Sequence, residues 1–156
     1  MLLLIQDAQI VPALERLIDG ARKSILLVQY QFKVNIHPRA PMRRILDALL
    51  RAADRAVKIT ILLNNSDRPN QPGTNHGNVK GALRHPAISI FEKGGRQILH
   101  TKLLVVDDAR ILVGSHNLTD RSFGGSRNMT ILTDDATAVH EAARTARALI
   151  ARAVNA

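Results

Sequence analysis

The order of segments in this chain predicts an α/β fold in which a mixed β-sheet is flanked by helices on both faces. Short apolar runs, at Leu2–Ile5, Ser24–Phe32, Val57–Leu63 and Ala87–Phe91, alternate with apolar stripes at helical spacing. Two of those runs, SILLVQYQF and VKITILL, are nearly continuous in Ile, Leu and Val, as strands covered on both faces are. The helical stripes supply the covering layers.

Taken in order, Leu2–Ile5 is a first strand, and Asp7 caps a helix whose stripe is Ile10, Leu14, Leu17, Ile18 and Ala21. Ser24–Phe32 turns polar at its end, so its carboxyl end leaves the core. Pro41 suits the first turn of a second helix, where its missing N–H costs nothing, with Met42, Ile45, Leu46, Leu49, Leu50 and Ala53 on one face. After the Val57–Leu63 strand, residues 64–78 read as a long polar loop that either borders the site or is disordered. Val79–Arg84 forms a short helix, Ala87–Phe91 a strand, and 92–96 a turn. Two more strands follow as a hairpin. Leu118–Ser126 is irregular or briefly helical, Asn128–Thr133 is a strand, and Asp134-Asp135 open a last helix with Val139, Ala142, Ala146, Leu149, Ile150 and Ala153 inward. No second domain or repeat is visible, so residues 1–156 are expected to form one domain.

Cysteine is absent, which excludes disulfides and thiolate chemistry. No run approaches membrane-spanning length, and the start lacks the basic segment of a signal peptide; a cytoplasmic protein without stable membrane insertion is expected. The formal net charge is +9, and residues 21–58 hold nine Lys and Arg against two Asp. Such a bias suits a polyanionic partner, nucleic acid before membrane, or simply a solvated basic face. Aromatics make up only 3% of the chain, too few to stack successive bases, so backbone phosphate is the expected target.

The chemistry gathers in HTKLLVVDDARILVGSHN, residues 100–117. Side chains alternate along a strand, so His100 and Lys102 share one face, and Ser115 and Asn117 share one face of the next run. With a two-residue loop at Asp108 and Ala109, Lys102 lies opposite Ser115, and all four cluster. A four-residue loop keeps the shared face, whereas a three-residue loop breaks it.

His-x-Lys, four residues, Asp, then Gly-Ser-x-Asn resembles the HKD signature of the phospholipase D superfamily, through His100, Lys102, Asp107, Gly114, Ser115 and Asn117. The strand carrying Tyr30 is similar to one that the family places early in its repeat. The resemblance implies a phospholipase D-like fold and a metal-independent phosphodiesterase without cofactor. Two such motifs make one site in that family, and this chain holds one. It therefore resembles the small bacterial nucleases that complete the site by homodimerisation, with nucleic acid, DNA or RNA, as substrate. By that likeness one His100 attacks phosphorus, giving a phosphohistidine, and its twin moves the proton. Lys102, Asn117 and Ser115 would surround the phosphoryl oxygens. Asp107 is expected to be structural, bonding loop amides or an Arg.

One departure concerns the carboxylate that the family usually places two residues after an Asn in the next strand. Here Asn128-Met129 is followed by Thr130, a possible orienting residue that cannot balance an imidazolium as a carboxylate does. A lipid phosphodiesterase of the phospholipase or cardiolipin type, and a catalytically weak nucleic-acid-binding subunit, are the alternatives. Lys93, Arg96, Arg121 and Arg127 flank the hairpin as candidates for phosphate steering. His116 is expected on the reverse face, in packing. His37, His76 and His85 lack metal-ligand spacing, and His140-Glu141 lacks the second histidine of a zinc motif.

Overall fold

A computed structural model describes residues 1–65 and 76–155. Its eight strands form one mixed sheet in the order β1-β7-β6-β5-β2-β3-β4-β8. These are β1 (Leu2–Gln6), β2 (Ser24–Gln29), β3 (Lys58–Asn64), β4 (Ile88–Lys93), β5 (Lys102–Val106), β6 (Arg110–Gly114), β7 (Met129–Thr133) and β8 (Val154–Asn155). The helices are α1 (Ile10–Asp19), α2 (Pro41–Asp54), α3 (His76–Ala82), α4 (Asp120–Gly124) and α5 (Ala136–Ile150). Among the described strands, the parallel ladders are β2–β3 and β3–β4, where helical crossovers separate the strands in sequence.

Helices cover both faces, in agreement with the expected class. On one face, Ile10, Leu14, Leu17 and Ile18 of α1 and Met42, Ile45 and Leu49 of α2 pack over Ile25, Leu27, Ile59, Ile61, Leu104 and Leu112. On the other, Val139, Ala143 and Ala146 of α5 cover Leu26, Val28, Leu62, Leu103, Val105 and Ile111. The alternation along β2 and β5, odd against even, sends neighbouring residues into separate cores.

Several local expectations need correction. Asp7 does not cap α1. It lies in a 3-10 turn, Asp7–Gln9, with a positive φ of 46°, and its carboxylate accepts from Asn128 N and Arg127 instead. The Ser24–Phe32 run is ladder only to Gln29, after which Phe32 makes a single bridge to Leu118. The helix placed at Val79–Arg84 starts earlier and ends at Ala82. Strand β8, which pairs with β4, carries no pattern at two residues. Of the loop at 64–78, residues 66–75 lie outside the described residues.

The hairpin turn decides the geometry of the site. Val106 pairs with Arg110, leaving three residues between them. Asp107 and Asp108 are both left-handed, at φ 56° and 52°, and Ala109 N donates to Val106 O, which is a mirror-image two-residue turn followed by one extra residue. Aspartate tolerates that conformation better than most side chains. Asp107 also gains three backbone partners there: its carboxylate accepts from Arg22 N at 2.9 Å, Lys23 N at 2.7 Å and Ser24 N at 2.9 Å. Those bonds hold its pKa below the ordinary carboxyl value, against the opposing effect of desolvation.

Candidate active site

The structure brings His100 and Lys102 into direct contact. Lys102 Nζ donates to the His100 carbonyl at 2.7 Å and lies 3.2 and 3.1 Å from the two ring nitrogens. Tyr30 closes the group, its ring 4.6 Å from the His100 ring and 5.0 Å from Nζ. The ammonium therefore sits between an imidazole and an aromatic face, both attractive to a cation. Lys102 is buried, and desolvation pulls its pKa below the ordinary lysine value. His100 is held below the usual imidazole range, first by desolvation and then by the Lys102 charge. A neutral imidazole beside an ammonium is a nucleophile with a charge partner for an anion.

One residue fixes the segment leading into His100, and another braces the loop that follows Tyr30. Asn64, buried at the end of β3, accepts from Leu99 N at 2.8 Å, which sets the chain just before His100. Asp120 accepts from Asn35 at 2.6 Å and from Met42 N at 2.8 Å, joining α4 to the loop after Tyr30 and to the start of α2. The first residue outside α2, Ala40, has no side chain to cap it, so Asp120 does so from across the fold. Neither role has a local signature in the sequence.

Ser115 and Asn117 are not joined to that pair. The three-residue loop breaks the shared face: alternation sets Ser115 with Val113, while Lys102 faces the side of Gly114 and His116. Ser115 Oγ donates to Asn128 Oδ1 at 2.8 Å and accepts from Met129 N at 3.0 Å. Asn117 is half-buried, its N–H donates to Ser122 Oγ at 3.0 Å, and its Oδ1 is a buried acceptor with no partner among the described residues. Among the described residues, no hydrogen bond links Ser115 or Asn117 with His100 or Lys102.

His116 stands where Ser115 was expected. Contrary to the reverse-face expectation, it is buried on the Lys102 side, with Nδ1 2.6 Å from Thr130 Oγ1 and Nε2 3.0 Å from Asp7 O. A carbonyl only accepts, so Nε2 carries the proton and Thr130 donates to Nδ1. Desolvation lowers the His116 pKa and keeps it neutral. Thr130 thus meets His116 and not His100, and His100 makes no hydrogen bond to a carboxylate among the described residues.

The cations divide unevenly. Lys93 is bound to Gly94 O and Gln97 O, Arg127 pairs with Asp7 at 2.6 Å, and Arg96 also has a partner. Arg121, at the exposed start of α4, makes no ion pair among the described residues. Three of the nine cations at 21–58 pair with acids of the fold: Arg44 with Glu15, Arg51 with Asp19 and Glu15, and Arg43 with Asp47. Among the described residues there is no group of His, Asp and Glu able to hold a metal, and no helix is long and apolar enough to cross a membrane.

A family model described as "Cardiolipin synthase, PLD-like domain" matches residues 14–150. This chain belongs to the PLD-like domain family. Among solved structures, the PLD-like fold matches a phospholipase D family member, Nuc from Salmonella typhimurium, with TM-score 0.83 and 18% identity over 100% of this chain and 97% of that one. NucT from Helicobacter pylori matches at TM-score 0.79 and 19% identity, covering 100% of both chains. TrmBL2, an archaeal chromatin protein whose structure shows a novel mode of DNA binding, matches at TM-score 0.67 and 16% identity over 99% of this chain and 54% of that one. No curated protein sequence matches the chain significantly.

Proposed function

We propose that this chain is a metal-independent phosphodiesterase that hydrolyses nucleic acid with little sequence preference through a phosphohistidine at His100. The observation that carries the reading is the His100–Lys102 contact, a neutral imidazole against a buried ammonium. The imidazole nitrogen attacks phosphorus, the bond to the leaving oxygen breaks, and that oxygen takes a proton from a second acid. Water, losing its proton to the same group, then attacks phosphorus and breaks the P–N bond. Lys102 neutralises charge on the phosphoryl oxygens. The likeness to TrmBL2, whose structure shows a novel mode of DNA binding, supports the substrate class.

One His100 cannot be both nucleophile and acid, so the second imidazole is assigned to another copy of this chain. Supporting that assignment, the sheet face beyond α5 is uncovered: Leu2, Leu4, Val113, Met129 and Ile131 are 39–71% exposed, and Leu4, Ile131 and Val113 lie side by side across three strands. Met129 is bonded to Ser115, so this patch reaches the Ser115 side of the motif, the face away from Lys102. A two-fold contact there would be isologous.

Incubation of the protein with labelled DNA, RNA and a simple phosphodiester in EDTA, beside His100→Ala, tests the reaction. Cleavage in EDTA that disappears in the variant is expected; cleavage that requires added metal, or survives in the variant, overturns it. The second reading, a catalytically weak nucleic-acid-binding subunit, is favoured by the absence of a carboxylate on His100 among the described residues. Salt-sensitive DNA binding with no cleavage, unchanged in His100→Ala, selects it.

A further inference from the structure

His100 lies beyond the end of the sheet that presents it. The β2–β5 ladder closes at Gln29 and Lys102, and residues 98–101 belong to no strand or helix. An exposed side chain on such a segment has no rungs to hold it, and a reacting group misplaced by about 1 Å can cost about 10²-fold in rate. Lys102 grips the residue from one side only: Nζ binds the His100 carbonyl, and its nearly equal distances of 3.2 and 3.1 Å to the two ring nitrogens single out neither. Among the described residues no carboxylate bonds to the ring.

Two neighbouring strand ends supply the rest. β2 and β3 are parallel, with Gln29 beside Leu63, so the next residues, Tyr30 and Asn64, stand side by side at the carboxyl ends. The Tyr30 ring packs 4.6 Å from the His100 ring, tilted by 56°. Asn64 Oδ1 accepts from Leu99 N at 2.8 Å, taking the place of the rung that the ladder lacks. Asn64 suits that task because its own backbone is fixed: it is 3% exposed, it pairs with Lys93 of β4, and Asn65 N donates to Lys93 O directly after it. The Leu99 side chain is buried in the core under α5, so the residue before His100 is held at two points.

We infer that Asn64 is a positioning residue for His100: by holding the Leu99 peptide it sets the imidazole against Tyr30 and Lys102, at the angle from which the ring attacks. Its effect on rate rests on the phosphodiesterase reading, whereas its effect on the ring rests on the geometry of the three strand ends. Asn64 acts through the peptide before His100, so its loss lowers turnover and leaves substrate affinity nearly unchanged.

The test uses the full chain and begins with hydrogen exchange followed by NMR. The Leu99 amide is expected to be protected in the parent, to exchange about tenfold faster in Asn64→Ala, and to recover in Asn64→Asp, which keeps an acceptor at the same reach. Asn64→Ser, whose oxygen lies one bond short of the amide, serves if Asn64→Ala does not fold. The His100 ring protons, read with the ring neutral and displaced by the ring current of Tyr30, should move toward their unfolded positions in Asn64→Ala and return in Asn64→Asp. On a simple phosphodiester in EDTA, kcat should fall about 10²-fold in Asn64→Ala with KM within about twofold. An unprotected Leu99 amide in the parent overturns the inference, as do His100 signals unmoved by Asn64→Ala, a loss that lies in KM, or a folded Asn64→Asp that restores neither signal. A parent that cleaves nothing while the exchange and ring signals behave as expected supports this placement and counts against the phosphodiesterase reading.

Discussion

The Lys102 ammonium lies 3.1 Å from His100 Nε2 while also donating to the His100 carbonyl at 2.7 Å. The lysine is therefore placed by the backbone of the residue whose ring it polarises. Because desolvation and then the Lys102 charge depress the His100 pKa, Lys102→Met should raise the His100 titration midpoint part of the way toward 6.5, the desolvation remaining. The unfolded chain binds the extra proton first, so the parent loses stability as pH falls through the unfolded value, and the variant loses less. Cleavage should drop by about 10²–10³-fold through lost charge stabilisation. His100 ring signals followed by NMR check the first outcome, and an unmoved midpoint would contradict the electrostatic account.

Asp107 anchors the opposite end of the hairpin. Its carboxylate takes three backbone N–H groups of the α1–β2 connection, so Asp107→Ala should cost about 2–3 kcal/mol, the range for losing bonds to a charged group. Asp107→Asn keeps one oxygen and should cost less. The folded carboxyl is depressed below 3.8, so its stabilisation is present above that value and is lost as pH falls through the folded pKa. Urea denaturation at neutral and acid pH should show the gap between parent and Asp107→Asn narrowing as acid is added.

These two residues were legible because their reasons are local: an i, i+2 pair and a polar turn. The hairpin's parity was not. It depends on whether Ala109 belongs to the turn or to the ladder, and that one residue moves Ser115 away from the Lys102 side and His116 onto it. Asn64 and Asp120 escaped notice because their partners lie far along the chain. The sheet and its two helical layers were readable because periodicity is repeated in every element, whereas β8 has two residues and no period.

The basic stretch divides between cations paired with acids and cations left to solvent. Arg44 and Arg51 face acids of α1, so Arg51→Ala should cost only about 0.2–1 kcal/mol, as exposed pairs do, and leave nucleic-acid binding unchanged. Lys33, bonded through its backbone to Leu118, and Arg121 are exposed and make no ion pair among the described residues. Replacing either by Ala should weaken binding across all sequences and reduce the salt slope by about one. Binding titrations over a salt series distinguish the two sets. A slope lowered by Arg51→Ala and untouched by Arg121→Ala would reverse the assignment.

The uncovered apolar face makes the remaining prediction. Ile131 is 41% exposed between Leu4 and Val113, so a charge there has solvent to enter in a single chain and none in a two-fold contact. Ile131→Asp should leave the fold intact, at a cost of about 1–2 kcal/mol for the lost strand propensity and cross-strand apolar contacts. In a dimer sharing one site it should instead produce monomers and abolish cleavage together, since each copy would lose its second imidazole. Light scattering and the metal-free cleavage assay on the same samples decide the matter. A parent that is monomeric and active, or a monomeric variant that still cleaves, would show that the site does not need a second copy.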